Sequence, residues 1–478
     1  MKEISNKEII RKITLENPWW EEQGGIDDYF KKFKPRAYLD SLYEVVTEKA
    51  VKRAIVLMGA RRVGKTVLLY HIIQKLIDSG IDPKRICYIS IEAPVYIGCS
   101  LEQIVSYYLE IYGFKDLGGC YVFFDEIQYL KGWEVHLKKL VDDFRDAKFV
   151  ASGSAAAALK LKSAESGAGR FTDFHLPPLT FYEYLYLQNM TELVEKEGKI
   201  DNDINRVNEE FVNYLNFGGY PEAIFSEPIK KDPGRYIRSD IIDKVLLRDL
   251  PGLYGIQDIQ ELSRLFTMLA YNTGNEVSLD ELSKGSSIVK NTIKKYLEYL
   301  EASFLIKILH RVDQSGKRFK KANFFKVYLT NPSMRCALFG PVTADDEFMG
   351  YMVETAVMSQ FPVEPVYYAR WHGGEVDVVI LEEGKIEFAL EIKWSNRFFD
   401  RPEELKSLIR FAKFHGLERV SATAIDKSGT RAISGVTISF TVGSIFCYRL
   451  GKMSTEYKIS SVKRLIEEMK VTTASPTT

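Results

Sequence analysis

Two rhythms of apolar residues run along this chain. In the N-terminal third, short continuous runs (AIVLM at 54–58, YVFF at 121–124, FVA at 149–151) alternate with longer stretches of helical spacing, VLLYHIIQKLI and WEVHLKKLVDDF. Continuous runs of strand length point to strands buried on both faces, and their alternation with helices points to a parallel α/β sheet. A further strand, TDFHL, follows. From Leu179 to about Ile241 the spacing turns helical, through FYEYLYLQ and EEFVNYLNF to the breaker GGYPEAI. Residues 236–255 read as one amphipathic helix stopped at Pro251. SLDELSKGSSIVKNTIKKYLEYLEASFLI has the spacing of two helices around a Gly-Ser turn. A hairpin follows, FLIKILHRV and KRFKKANFFKVYLT, turned at DQSG. After the helix GYMVETAVMSQF, residues 375–394 form a second hairpin turned at Glu382-Glu383-Gly384-Lys385.

At 478 residues the chain exceeds one ordinary core, and three or so domains are expected. A hydrophobic share of 46% and a charged share of 27% describe a soluble globular protein. Formal net charge is zero, which excludes a strongly basic field over the whole molecule but leaves room for a local basic patch. Five scattered cysteines form no C-x-x-C pair and read as reduced thiols rather than a disulfide frame or a zinc site. MKEISNKEII lacks the apolar core of a signal peptide, and no apolar run approaches the length that spans a bilayer. The expectation is a cytoplasmic protein without a membrane partner, ending in a disordered tail, VTTASPTT.

The chemistry begins after the first strand. Gly59, Ala60, Arg61, Arg62, Val63, Gly64, Lys65 and Thr66, followed by Val67, spell G-x-x-x-x-G-K-[ST] between a strand and a helix. Glycines let backbone N–H groups close around phosphate, and the helix start adds the positive end of its dipole. This motif predicts ATP and Mg²⁺ as cofactors, with Lys65 on the β/γ phosphates and the Thr66 hydroxyl on the ion. YVFFDE ends in Asp125, expected to hold Mg²⁺ through water, and Glu126, expected to polarise the attacking water. By itself such a pair could close a strand-end turn; behind a P-loop the catalytic reading is preferred. Ser152 and Ser154 end the third strand, where one of them would sense the γ-phosphate. Arg170 is either a finger offered to a neighbouring subunit of a homo-oligomer or a surface salt-bridge partner.

In order, GARRVGKT, FFDEIQYL, ASGSA, AGRFTDFHLPPLTFYEYL and YLNFGGYPEAI resemble the archaeal and bacterial AAA-superfamily ATPases that carry a C-terminal nuclease-like domain. The likeness runs from about residue 35 to about 450. It implies an α/β multidomain fold: an N-terminal arm (1–34), a P-loop AAA-type parallel-sheet core (35–178), a helical lid over the nucleotide (179–240), a winged helix (241–330), a restriction-endonuclease-like α/β domain (331–470) and the tail (471–478). It implies no settled biological role. The sensor stretch departs from the family pattern, reading Gly-Ser-Ala without a second hydroxyl or amide.

Basic residues gather in the third quarter. Lys290, Lys294 and Lys295 lie on the second helix of the helix-turn-helix pattern, and Lys317, Arg318, Lys320, Lys321 and Lys326 lie on the hairpin's second arm, interleaved with Phe319, Phe324 and Phe325. Helix-turn-helix plus basic wing predicts phosphate-backbone contact, with DNA the favoured partner; the plainer reading is a winged helix used for protein packing. Further on, Glu354 lies on the apolar stripe of its helix, costly unless paired. Alternation puts Glu375 and Asp377 on one face of their strand and Glu391 and Lys393 on one face of the next. A helix acid, a strand acid, then acid-x-Lys is the order of the restriction-endonuclease-like fold. Glu354, Asp377 and Glu391 would ligate Mg²⁺, with Lys393 activating water. Glu375 either supports that site or is solvated, and His372 reads as a loop residue. Two functions compete: an ATP-hydrolysing switch or motor on nucleic acid with a Mg²⁺-dependent nuclease-like end, or a regulatory ATPase whose C-terminal domains bind nucleic acid or protein without cutting.

Overall fold

The structure, a computed structural model, describes residues 5–21, 24–153, 169–195, 203–317, 323–361 and 366–456. The chain divides into two compact units, the second running from Pro178 to Ser454 and the first built on the residues up to Pro177. The first is built on five strands, β1 (Ala54–Gly59), β2 (Ile86–Ser90), β3 (Tyr121–Asp125), β4 (Lys148–Gly153) and β5 (Phe171–Leu176). All pair in parallel in the order β2-β3-β4-β1-β5. Every residue of β1, β3 and β4 is buried, which explains their unbroken apolar runs. Helices Lys65–Asp78, Leu101–Tyr112 and Trp133–Asp143 connect them. Because the strands are parallel, the C-terminal ends of β1, β3 and β4 open on one edge of the sheet, the edge where ligands bind in such folds.

Strand β2 is the sheet's outer strand, and the expected N-terminal arm meets it with side chains. A helix, Asn6–Glu16, starts in a capping box between Ser5 and Glu8. Beyond it, Asn17 donates to Tyr88 O (2.8 Å) and accepts from Tyr88 N (2.6 Å), while the indoles of Trp19 and Trp20 both donate to Ile86 O. Edge groups that would otherwise invite another strand are thereby met within the chain.

The second unit holds a nine-stranded mixed sheet in the order β13-β14-β12-β11-β10-β9-β7-β8-β6. These strands are β6 (Glu276–Ser278), β7 (Ile306–Val312), β8 (Phe324–Leu329), β9 (Val366–Trp371), β10 (Gly374–Glu382), β11 (Lys385–Glu391), β12 (Arg419–Ala424), β13 (Gly429–Ile433) and β14 (Val436–Val442). The expected wing hairpin, β7–β8, thus continues the sheet of the C-terminal region through the pairs Arg311–Tyr368 and Val312–Ala369. The β10–β11 turn falls at Glu383 and Gly384, both with positive φ, as a tight two-residue hairpin needs. The helix-turn-helix forms from Leu279–Ser286 and Lys290–Ala302.

Two features differ from the sequence reading. The helices expected to form a lid, Phe181–Leu187 and Ile204–Phe217, share one core with Met352, Val353, Val378 and Leu390 of the second unit. The helix around residue 240 does not stop at Pro251. Its hydrogen bonds widen to π type over Ile237–Ile242 and Val245–Asp249, and α-helix resumes at Leu250–Tyr254, ended by Gly255 at φ 63°. Proline is tolerated because the i→i−4 ladder is already displaced just before it. No helix of the described residues is long and apolar enough to cross a membrane.

Candidate functional site

The phosphate loop joins β1 to the helix Lys65–Asp78 through two residues with left-handed backbone, Arg62 at φ 65° and Gly64 at φ 91°. Gly59 is fixed by space: a Cβ there would lie 2.3 Å from Leu176 O on β5. Gly64 has no side chain with which to cap the helix, so the first N–H groups are left for an anion. Lys65 is buried and folds back on the carbonyls of Gly59 and Ala60, 3.1 Å from each. Arg36, which the sequence did not single out, is buried and braces the loop by donating to Val63 O (2.6 Å) and Pro177 O (3.0 Å).

Asp125 is the buried centre of the site. Its Oδ2 accepts from the Thr66 hydroxyl and from the Tyr88 hydroxyl, each at 2.7 Å, and its Oδ1 accepts from Ser152. Burial, then the neighbouring Glu126 charge, pushes its carboxyl above the usual range, while the three hydroxyls pull the other way. Tyr88 was missed because an aromatic in a buried strand looks like core; the usable signal is that a buried phenol needs a partner. Glu126 adopts left-handed backbone at φ 54°, costly for a non-glycine residue, and its N–H donates to Ser152 Oγ (3.1 Å). The Gln128 amide donates to its carboxylate. Of the two serines expected to act as sensor, Ser152 meets the Asp125 carboxylate and the Glu126 backbone, and Ser154 lies outside the described residues. Arg170 precedes β5 at the opposite end of the sheet from the phosphate loop and pairs with Asp142.

In the second unit the charged residues of β10, β11 and the helix Met349–Gln360 meet. The β9–β10 register shifts between Val376 and Val379, and a bulge of this kind re-aims a side chain, here Asp377. Asp377 Oδ2 accepts from Ile392 N (2.9 Å) and lies 3.4 Å from Lys393 Nζ, which lies 2.7 Å from Glu391 Oε1. The two pairs of charges assigned to separate strands thus join in one cluster. Lys326 corrects the sequence reading outright. Expected on a basic wing, it is only 4% exposed. Its Nζ lies 2.8 Å from Glu375, 3.0 Å from Glu354 and 3.8 Å from Asp377. It lies on a strand paired on both sides and buried on both faces from Phe325 to Leu329, so its ammonium meets acids rather than solvent. Tyr328 donates to Glu354 (2.6 Å), and Arg370 pairs with Glu375 and with Glu276.

Electrostatics follow from that crowding. Burial, then the Asp377 charge, raises Glu391 to about 8, while the neighbouring Lys393 ammonium pulls the other way. Burial also raises Glu354. For Lys326 and Lys393 burial would favour the neutral amine, but the surrounding acids outweigh it and both are held charged. Among the described residues, no group of three or more His, Cys, Asp or Glu side chains is arranged to hold a metal ion, and the two ammonium groups stand between the acids. One acceptor remains open: Glu391 Oε2 is buried without a hydrogen-bond partner.

Of the expected nucleic-acid contacts, Lys290, Lys294 and Lys317 are exposed, as is Lys295, and Lys290 pairs with Asp280. Arg318, Lys320 and Lys321 lie outside the described residues.

A family model described as an AAA domain matches residues 51–185. That match spans the five parallel strands and the phosphate loop of the first unit. A model of a domain of unknown function matches residues 208–345, ending before the helix that bears Glu354. An uncharacterized protein of Haemophilus influenzae is 28% identical to this chain over 304 residues, 62% of this chain and 71% of the relative. Another, from Methanocaldococcus jannaschii, is 26% identical over 392 residues, 77% of this chain and 81% of its own. Among solved structures, the Aeropyrum pernix Orc1 protein in complex with DNA is 15% identical at a TM-score of 0.33, covering 66% of this chain and 94% of that one. A likeness so loose carries no argument about function.

Proposed function

We propose that this protein is an ATP-hydrolysing switch or motor acting on nucleic acid, DNA above all, with a Mg²⁺-dependent nuclease-like site in its second unit. The observation that carries the reading is the contact of Thr66 with Asp125 at 2.7 Å behind a phosphate loop, since these two oxygens are the pair that would hold a nucleotide's cation. MgATP would supply the phosphoryl group and its charge-neutralising ion. Lys65 and the open N–H groups at the helix start bind the phosphates. Glu126, fixed through its backbone by Ser152 and through its carboxylate by Gln128, orients the attacking water and takes its proton. Lys65→Ala should abolish nucleotide binding, and Glu126→Gln should keep binding while turnover falls about 100-fold or more. Tight binding by the first variant or full turnover by the second would defeat the assignment. If Arg170 is a finger, it leaves Asp142 to serve a neighbouring copy, and mixing Arg170→Ala with Lys65→Ala protein should restore part of the activity.

Nucleic-acid contact rests on the exposed lysines of the helix-turn-helix and hairpin. Replacing Lys290, Lys294 and Lys317 by Ala should weaken binding regardless of sequence and reduce the salt slope by about one unit per lost phosphate contact. An unchanged slope would favour protein docking. For the nuclease-like site, carboxylate oxygens suit a hard cation, and the open Glu391 Oε2 supports a ligand there. Glu354, Asp377 and Glu391 would hold the ion, and Lys393 would position the water. The pairing of these acids with two lysines favours a second reading, a site that binds without cutting. Metal-dependent nicking lost in Asp377→Ala, with ATP turnover intact, decides for cleavage.

A further inference from the structure

The Tyr88 hydroxyl that meets Asp125 is carried by β2, the outer strand of its sheet, and one side chain from the N-terminal segment holds that strand at this residue. Both backbone polar groups of Tyr88 face the outer edge, where the Asn17 amide meets them. Its nitrogen donates to Tyr88 O (2.8 Å) and its oxygen accepts from Tyr88 N (2.6 Å). The same nitrogen donates to Ile13 O (2.7 Å), in the helix Asn6–Glu16. Asn17 is only 1% exposed. An amide with two carbonyls at its nitrogen and an N–H at its oxygen has one orientation, set by the helix behind it.

We propose that Asn17 is a positioning residue of the nucleotide site: by fixing the Tyr88 backbone it fixes the hydroxyl that orients the Asp125 carboxylate, and so supports the cation that Thr66 and Asp125 would hold. This rests on the nucleotide reading given above. The line of contacts is short. Asn17 and Tyr88 share two hydrogen bonds, and the Tyr88 hydroxyl lies 2.7 Å from the Asp125 oxygen that also accepts from Thr66. The Tyr70 ring, 4.8 Å from that of Tyr88, packs the side chain in place, so a shift of the backbone passes to the hydroxyl. Hydrogen bonds weaken steeply with misalignment, and groups behind a metal ligand set its aim. Without Asn17 two buried backbone groups would lack partners, and β2 would move or admit water there. Trp19 and Trp20 meet the same edge at Ile86 O instead, one step further from Asp125. Asn17 lies far from every nucleotide motif in the chain, so motif spacing does not reveal it.

The test is the Mg²⁺ gain in binding of mant-AMPPNP, a fluorescent ATP analogue that is not hydrolysed, by the full chain: its affinity with Mg²⁺ relative to its affinity in EDTA. Asn17→Ala should reduce that gain several-fold and leave the affinity in EDTA unchanged. In a Tyr88→Phe background the same substitution should have no further effect, because the hydroxyl through which it acts is gone. Trp20→Phe, which removes a donor to Ile86 O, should lower stability and keep the full gain. Asn17→Asp keeps an acceptor for Tyr88 N and loses both donors, and carries the same expectation if the alanine variant fails to fold. A full Mg²⁺ gain in the folded variant, an equal loss with and without Mg²⁺, or a loss repeated in the Tyr88→Phe background overturns the inference, while the wild-type gain leaves the nucleotide site standing. Wild type that shows no binding, or no Mg²⁺ gain, removes both.

Discussion

At the scale of single residues, the nucleotide site is organised by hydroxyls around one buried acid. Thr66, Tyr88 and Ser152 all donate to Asp125, and each favours its ionised form against the cost of burial. Tyr88 comes from the neighbouring strand and stands 4.8 Å from the Tyr70 ring, so its hydroxyl is fixed by packing before any ligand arrives. Tyr88→Phe removes one of those donors with almost no change of shape. Protonation of Asp125 then becomes easier, and an acid that must be ionised to hold a cation holds it less well. We expect turnover to need several-fold more Mg²⁺ for its half-maximum, with nucleotide binding in the absence of Mg²⁺ unchanged, and stability lower by about 1 kcal/mol. A Mg²⁺ titration of the ATPase rate checks this, and an unaltered midpoint would mean that Tyr88 only packs.

At the scale of elements, the parallel sheet carries a cost at the start of β4. Lys148 is 7% exposed, and its ammonium donates to Val51 O. Burial lowers it to about 8 from an ordinary value near 10.4. The sign follows from which state sheds its proton first. Below pH 8 both states are charged and the folded state bears the full cost of the buried ammonium. Between pH 8 and about 10.4 the folded state releases its proton while the unfolded state keeps it, so this lysine's contribution improves as pH rises. Lys148→Met should therefore stabilise the first unit by about 2 kcal/mol at pH 7, with the gain over wild type shrinking towards pH 10. Urea unfolding of both proteins at several pH values measures it. A constant difference would assign the effect to packing.

At the scale of the whole molecule, the two units carry separate clusters, the phosphate loop with Asp125 in one and paired acids with lysines in the other. A ligand stabilises only the unit that binds it, by about 2.7 kcal/mol at a hundredfold excess over its Kd. On heating, MgATP should raise the transition of the first unit. Mn²⁺ added without nucleotide should raise that of the second, and Asp377→Asn should abolish only the latter. A single transition shifted equally by both ligands would mean that the units unfold as one.

The sequence by itself determined whatever depends on neighbours along the chain. Strand, loop and helix around Lys65 are local, and so is the β-hairpin turn at Glu383-Gly384, where a positive φ favours glycine. The acids of the second unit were legible as well, because charges in apolar runs stand out against their surroundings. Tertiary structure decided the rest. Lys326 reads as one more charge in a basic arm, and only the pairing of β8 with β6 and β7 turns it towards Glu354 and Asp377. Tyr88 reads as core until β2 is laid beside β3 and its hydroxyl meets Asp125. Both residues obey the ordinary pattern of their own strands. Their roles come from partners 37 to 51 positions away in Asp125 and Asp377, and sheet register, which no local pattern encodes, sets those distances.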